Sequence, residues 1–275
     1  MPAVYAHYKM GQEVRRELTG REKEVIEKYP ELYLIGLHGP DILFYYKAIH
    51  PNEVSGLGFA MHKRSGAVFF RKAAEIIKKE KNKEAVLSYV YGFICHFAMD
   101  VTCHGYVNEK MAKSKVSHTE IESEFDRELL VRDGKNPVAE RLARHIVPSE
   151  ENADIIRKFF EGNGVGGVNM RSIHKALKDM VFYCTCLTAP TKVKRFLIHS
   201  IMRIVGKYDV MHGLMINLQK NPECEDSTEH LISLYDDSKK LALRLIREYG
   251  SFLEGEKELD DMYCYNFNSV PAEKV

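Results

Sequence analysis

The sequence carries almost no net charge: 40 Lys and Arg stand against 39 Asp and Glu. That balance removes any global electrostatic argument for nucleic acid or an acidic membrane as partner. Also missing is an uninterrupted apolar run approaching the roughly 18 residues of a membrane-spanning helix. The first residues, "MPAVYAHYKMGQEVRREL", lack the charged n-region and apolar h-region of a secretory signal. No alternating strand pattern, internal repeat or low-complexity tract occurs. Six cysteines (Cys95, Cys103, Cys184, Cys186, Cys224, Cys264) without a visible export signal are expected as free thiols rather than a disulfide framework. Together these absences predict a soluble, cytoplasmic protein.

What remains is ordinary in bulk and helical in pattern. Hydrophobic residues make up 45% and charged residues 29% of the chain, enough for a sizeable globular core. His7, Gly11, Val14 and Leu18 form one stripe of a first helix, and "GREKEVIEKYP" reads as a second, closed by Pro30. "GLHGPDILFYYKAI" reads as a loop entering a helix, with Pro40 at the favoured first position. A glycine-rich stretch, "VSGLGFAMH", is expected as a loop ending at His62. Residues 64–80 follow as an amphipathic helix with Phe69, Ala73, Ile76 and Ile77 inward. Residues 84–106 make a long helix. Ser117 and Glu120 fit a capping box for the next one, whose inward face is His118, Glu122, Phe125 and Leu129. Further helices are expected at about 137–146, 150–161, 170–187, 191–207 and 227–250, with 161–169 a loop. The expected fold is all-α, a single-domain multi-helix bundle over 1–275, in which 1–130 carries the chemistry and 131–275 supports it.

Twelve histidines are the unusual feature. In "CHFAMDVTCHGY" the residues His96, Asp100 and His104 recur every four positions, along one face of a helix that also holds Phe93 and Phe97. Polar side chains aimed into apolar surroundings must be hydrogen-bonded or hold a metal, because unpaired burial is costly. His118 and Glu122 share another face, and His62, Asp41 and His7 are three more inward candidates. Singly, each reads as a satisfied core residue or a capping pair. Jointly, eight imidazole or carboxylate donors suit zinc, and carboxylates among histidines suit a catalytic rather than a structural site. Cys95, Met99 and Cys103 form a neighbouring stripe that reads as soft core packing.

The stretches "PAVYAH", "GPDILFYY", "MHKRSGAVFF", "YGFICHFAMDVTCH" and "SHTEIESEFD" resemble, in that order, the zinc-dependent phospholipase C family, whose fold is shared with single-strand-specific zinc nucleases. They cover residues 1 to about 130. "INLQKNPECEDSTEHLISLYDDSKKLALRLI" is similar to the family's closing helices, less specifically. The resemblance implies an all-helical fold around two or three Zn2+ ions. It implies that Asp41, His62, His96 and Asp100 serve one ion, that His104, His118 and Glu122 serve a second, and that His7 with bridging Asp100 serves a third. The Asp100-to-His104 step is shorter than in secreted members, yet on a continuous helix it keeps both on one face. Secreted members complete the third site with an α-amine exposed by cleavage. Here removal of Met1 would expose the Pro2 amine, which is the expected equivalent.

The implied chemistry is phosphodiester hydrolysis by metal-activated water, with Asp41 as general base. The substrate is expected to be a phospholipid head group. The alternatives are another phosphodiester cleaved by a nuclease of the same fold, and a non-catalytic zinc-binding helical protein. No stable nucleic-acid partner is expected, since no basic groove is evident. Tyr45, Tyr46 and Phe59 read either as core packing or as an aromatic wall for a choline-like cation or a base. "KVKRFLIHSIMRIVGKY" is expected as an ordinary core helix, with peripheral membrane contact as the alternative.

Overall fold

The computed structural model describes residues 3–162 and 166–272. Its α-helices are α1 (Val4–Glu17), α2 (Gly20–Lys28), α3 (Pro30–Gly36), α4 (Glu53–Lys63), α5 (Gly66–Lys79), α6 (Lys83–Lys113), α7 (His118–Arg132), α8 (Glu150–Phe160), α9 (Met170–Leu187), α10 (Lys192–Ile204), α11 (Tyr208–Met211) and α12 (Glu225–Glu254). Short 3-10 helices, among them Gly39–Tyr45 and His212–Leu214, join them, and among the described residues no strand forms.

α6 is apolar on nearly every side, which marks a helix surrounded by others rather than one lying on a surface. α3 and α12 make its most extensive contacts, with α1, α2, α5, α7 and α8 completing the sheath. By length and hydropathy α6 could cross a membrane, a property that the search for an uninterrupted apolar run does not register. However, 94% of that apolar window is buried inside the protein, so it serves as the axis of the core. α3 reaches α6 closely because glycine meets glycine. A Cβ on Gly36 would stand 2.2 Å from the Tyr89 carbonyl oxygen, and one on Gly92 would stand 2.1 Å from that of Tyr33. Aromatic rings fill the next layer, including Phe69 stacked on Phe93 at 3.8 Å between centroids.

Several local expectations change for identifiable reasons. Pro30 opens α3 at its first position instead of closing α2, since its missing N–H costs nothing there. "VSGLGFAMH" lies within α4, because Asn52 and Ser55 form a reciprocal capping box that starts a helix across the glycines. Residues 39–45 tighten into a 3-10 turn rather than an α-helix. Residues 137–146 form successive turns, bounded by Pro137 and Pro148, instead of a helix. The apolar stripe of α10, expected in the core, faces outward, with Phe196 and Ile204 exposed. All six cysteines are unpaired thiols, and Cys95 and Cys103 are buried core residues whose thiols burial pushes up, Cys95 to about 12.

Candidate metal centre

The four-residue spacing on α6 delivers three polar side chains to one side of the axis. Asp100 is the hub. Its Oδ2 lies 3.2 Å from His96 Nε2, 3.7 Å from His62 Nε2 and 3.7 Å from His104 Nδ1, and its Oδ1 lies 3.4 Å from His7 Nε2. Burial alone would raise this carboxyl's pKa. The surrounding imidazoles, His104 and His96 foremost, outweigh it and hold the group well below the usual carboxylate range.

Each other element contributes for a local reason. α1 presents His7 in its first turn, and the imidazole stacks on His96 at 4.4 Å. Ala3 offers no side-chain cap to α1, so Asp126 of α7 replaces it. Its two oxygens accept the backbone N–H groups of Tyr5 at 2.9 Å and Ala6 at 2.8 Å. The turn after α3 places Asp41 at the front of the 3-10 helix, where its Oδ1 lies 3.1 Å from His62 Nε2. Burial opposes ionisation of Asp41, the His62 and His96 side chains favour it, and its pKa lies below the ordinary value. α7 begins on the expected capping box and puts His118 at its first position. His118 Nε2 lies 3.2 Å from Glu122 Oε2, and Glu122 Oε1 lies 3.3 Å from His104 Nε2.

Two backbone carbonyls fix imidazole orientation. His62 Nδ1 donates to Gly58 O at 2.8 Å, and His104 Nδ1 donates to Phe267 O at 2.7 Å. Both rings therefore turn Nε2 toward the carboxylates, the arrangement in which a partner on one ring nitrogen orients the other as a ligand. His104 is drawn up to about 9: burial works against its charge, and Asp100 and Glu122 prevail. His7 moves down instead, through burial and the adjacent His96.

The donor atoms fall into three groups, each with its members within 4.8 Å of one another: His7, His96 and Asp100; Asp41, His62 and His96; His104, His118 and Glu122. All eight expected ligands are thus brought together. His96, expected with Asp41 and His62, falls in the His7 group as well, and Asp100, expected in both, falls in the His7 group. The Pro2 amine lies outside the described residues. Tyr45 is a core residue whose hydroxyl lies 3.6 Å from Cys184 Sγ, and Tyr46 is half-buried. Phe59 is exposed and reaches the centre only through Phe44, which lies 4.5 Å from it and 5.5 Å from His62.

A cation suits this donor set on three observations. His96 is fully buried, and among the described residues neither of its ring nitrogens makes a hydrogen bond, Nε2 meeting Asp100 Oδ2 at 3.2 Å only as an ion-pair contact; His7 Nδ1 likewise makes no hydrogen bond there. In a protein interior such atoms are a cost unless something else binds them. A cavity of about 20 Å³ lies among His7, Asp100, His104 and Glu122, enough for one small ion or water. Histidine nitrogens with carboxylate oxygens, and no thiolate among them, are zinc-type ligands.

Some contributors escape sequence reading. Gly39 has φ +45°, and a Cβ there would stand 2.2 Å from the His96 ring, so the glycine is the floor on which His96 rests. Asp126 continues His118 and Glu122 at the same four-residue step, a signal equal to that on α6. His38 and His145 meet through their Nε2 atoms at 2.7 Å, and Tyr8 stacks on His145. Neither they nor the Phe267 carbonyl carries any local signature.

A family model described as zinc dependent phospholipase C matches residues 6–165, more than half of the chain. No curated protein and no solved structure matches.

Proposed function

The chain belongs to the zinc dependent phospholipase C family, and on that premise we propose that it hydrolyses the phosphodiester bond of a phospholipid head group with two or three Zn2+ ions bound. In this reading Asp41, His62 and His96 hold one ion, and His104, His118 and Glu122 hold a second. His7 and Asp100 hold a third, with Asp100 shared between sites. Zinc there supplies Lewis-acid charge that polarises phosphoryl oxygens and lowers the pKa of water to about 7.

The chain's own residues do the rest. Asp41 stays ionised at neutral pH, which lets its carboxylate accept the proton released as water attacks phosphorus. The carbonyls of Gly58 and Phe267 hold His62 and His104 with Nε2 inward, so the donors need little rearrangement during turnover. Apolar packing around α6 keeps bulk water from the buried side of the centre. His118 is the more open ligand, its side chain 28% exposed, and substrate phosphate approaches from its side.

The observation that carries this reading is the gathering of the eight candidate donors into three groups, inside the span that the family model matches. The test is elemental analysis of protein purified without added metal or chelator, followed by turnover on phosphatidylcholine and on single-stranded DNA. About two to three zinc per chain with release of a phosphorylated head group supports it. Asp41→Asn should then keep most of the metal and lose on the order of 10²–10⁴ in kcat. Zinc-free protein that stays folded, or cleavage of DNA alone, overturns it.

A further inference from the structure

α10 presents to solvent what an amphipathic helix normally buries. Its inward residues are Arg195 and Met202, with Ile198 half-buried beside them; Arg195 donates through Nη1 to the Ile216 carbonyl at 2.7 Å. The opposite face carries Val193, Phe196, Leu197, Ile201 and Ile204, spaced i, i+3, i+4, i+8 and i+11, which is one continuous helical stripe. Val193 is 71%, Phe196 68% and Ile204 84% exposed. Scattered exposed apolar residues need no explanation, but a contiguous stripe of five does.

Charge names the occupant. From Lys192 to Ile204 the helix holds no acidic residue, and besides the inward Arg195 it holds Lys192, Lys194 and Arg203. Lys192 and Arg203 are exposed and lie together along one edge of the stripe. An apolar face bordered by cations is the surface that settles into the interface of an anionic lipid layer. The apolar surface also has depth. Ile201, on the outer face, and Val205, just past the end of α10, also line an apolar cavity of about 250 Å³, whose lining includes Tyr45, Leu187 and Ile216. Tyr45 ends the 3-10 helix that carries Asp41. The 3-10 helix His212–Leu214, just beyond α11, packs on α7, where Gly213 lies against Thr119 and Glu120, next to His118.

We propose that the outer face of α10, from Val193 to Ile204, docks this protein on an anionic phospholipid surface. The inference goes beyond the reading of the metal centre and does not depend on it, since it concerns a separate surface and is measured without turnover.

The experiment is vesicle flotation with zinc-stripped and zinc-loaded protein. Vesicles of phosphatidylcholine mixed with phosphatidylserine are compared with vesicles of phosphatidylcholine alone. The wild-type chain should float with the anionic vesicles in either metal state, and binding should weaken with salt. The double variant Phe196→Glu with Ile204→Glu, checked for unchanged helicity, should lose at least about tenfold in binding. Lys192→Ala with Arg203→Ala should lose about fivefold per residue on anionic vesicles only. Three results would each overturn the proposal: no flotation of the wild type, equal flotation of the glutamate variant, or a stable wild-type dimer that the same variant dissociates. Flotation of zinc-loaded protein without head-group release would leave docking intact and refute the proposed activity.

Discussion

At single positions, what matters around the centre is shape as much as donor chemistry. Gly39 meets the His96 ring with a positive φ, so Gly39→Ala brings both a backbone penalty and a steric one. We expect it to destabilise the fold by about 2–4 kcal/mol and to reduce zinc content, read by denaturant unfolding and elemental analysis. The buried His145, which pairs with His38 and lies outside the three donor groups, gives a pH signature of its own. Burial, with Arg144 nearby, pushes His145 down to about 3; burial and the neighbouring His145, His7 and His96 lower His38. A histidine with a depressed folded pKa binds its proton in the unfolded chain first. Its contribution to stability is therefore complete above about 6.5 and is lost as pH falls toward the folded value. Below pH 6, unfolding free energy should drop by about 1.4 kcal/mol per pH unit for each such group. In His145→Gln the slope should be shallower by one such increment. An unchanged slope between pH 6 and 4 would remove His145 from the explanation.

At the scale of elements, the centre depends on how helices begin. α7 starts on Ser117 and Glu120, which sets His118 at its first position, while α1 has no cap of its own and leans on Asp126 from α7. His7 therefore holds its place through Asp126, a buried side chain whose pKa burial raises to about 8 and that accepts the two backbone N–H groups. Asp126→Ala leaves the N–H groups of Tyr5 and Ala6 without that acceptor, and a loss of about 1–3 kcal/mol in unfolding free energy is expected. Zinc stoichiometry should fall at the His7 group while the His104, His118 and Glu122 group, on α6 and α7, keeps its metal. Equal loss at both groups would mean that α7 itself had shifted.

For the molecule as a whole, one long helix is both the axis of the core and the carrier of three of the eight candidate donors. The aromatic layers around α6 are complete without a cation, whereas the proposed centre is not. Chelation should thus leave far-ultraviolet circular dichroism at 25 °C nearly unchanged while lowering Tm. Zinc at a thousand times its Kd contributes about 4 kcal/mol, or roughly 10 °C for a chain of this size. No shift on adding zinc back to stripped protein would count against a cluster built from these residues.

Helix positions whose evidence is local were legible in sequence. The stripe His96, Asp100, His104, the capping box at Ser117 and the apolar spacing of α5 are properties of neighbours three or four residues apart, and the all-α fold follows from such periods. The eight candidate donors come from the same local spacing and from the resemblance of whole motifs, and the structure brings them into three groups. What only tertiary structure decided depends on partners distant in the chain. It paired His38 with His145, turned the Phe267 carbonyl onto His104, and lent Asp126 to α1. It also left the apolar stripe of α10 facing outward, because period tells which residues share a face and never what, if anything, lies against it.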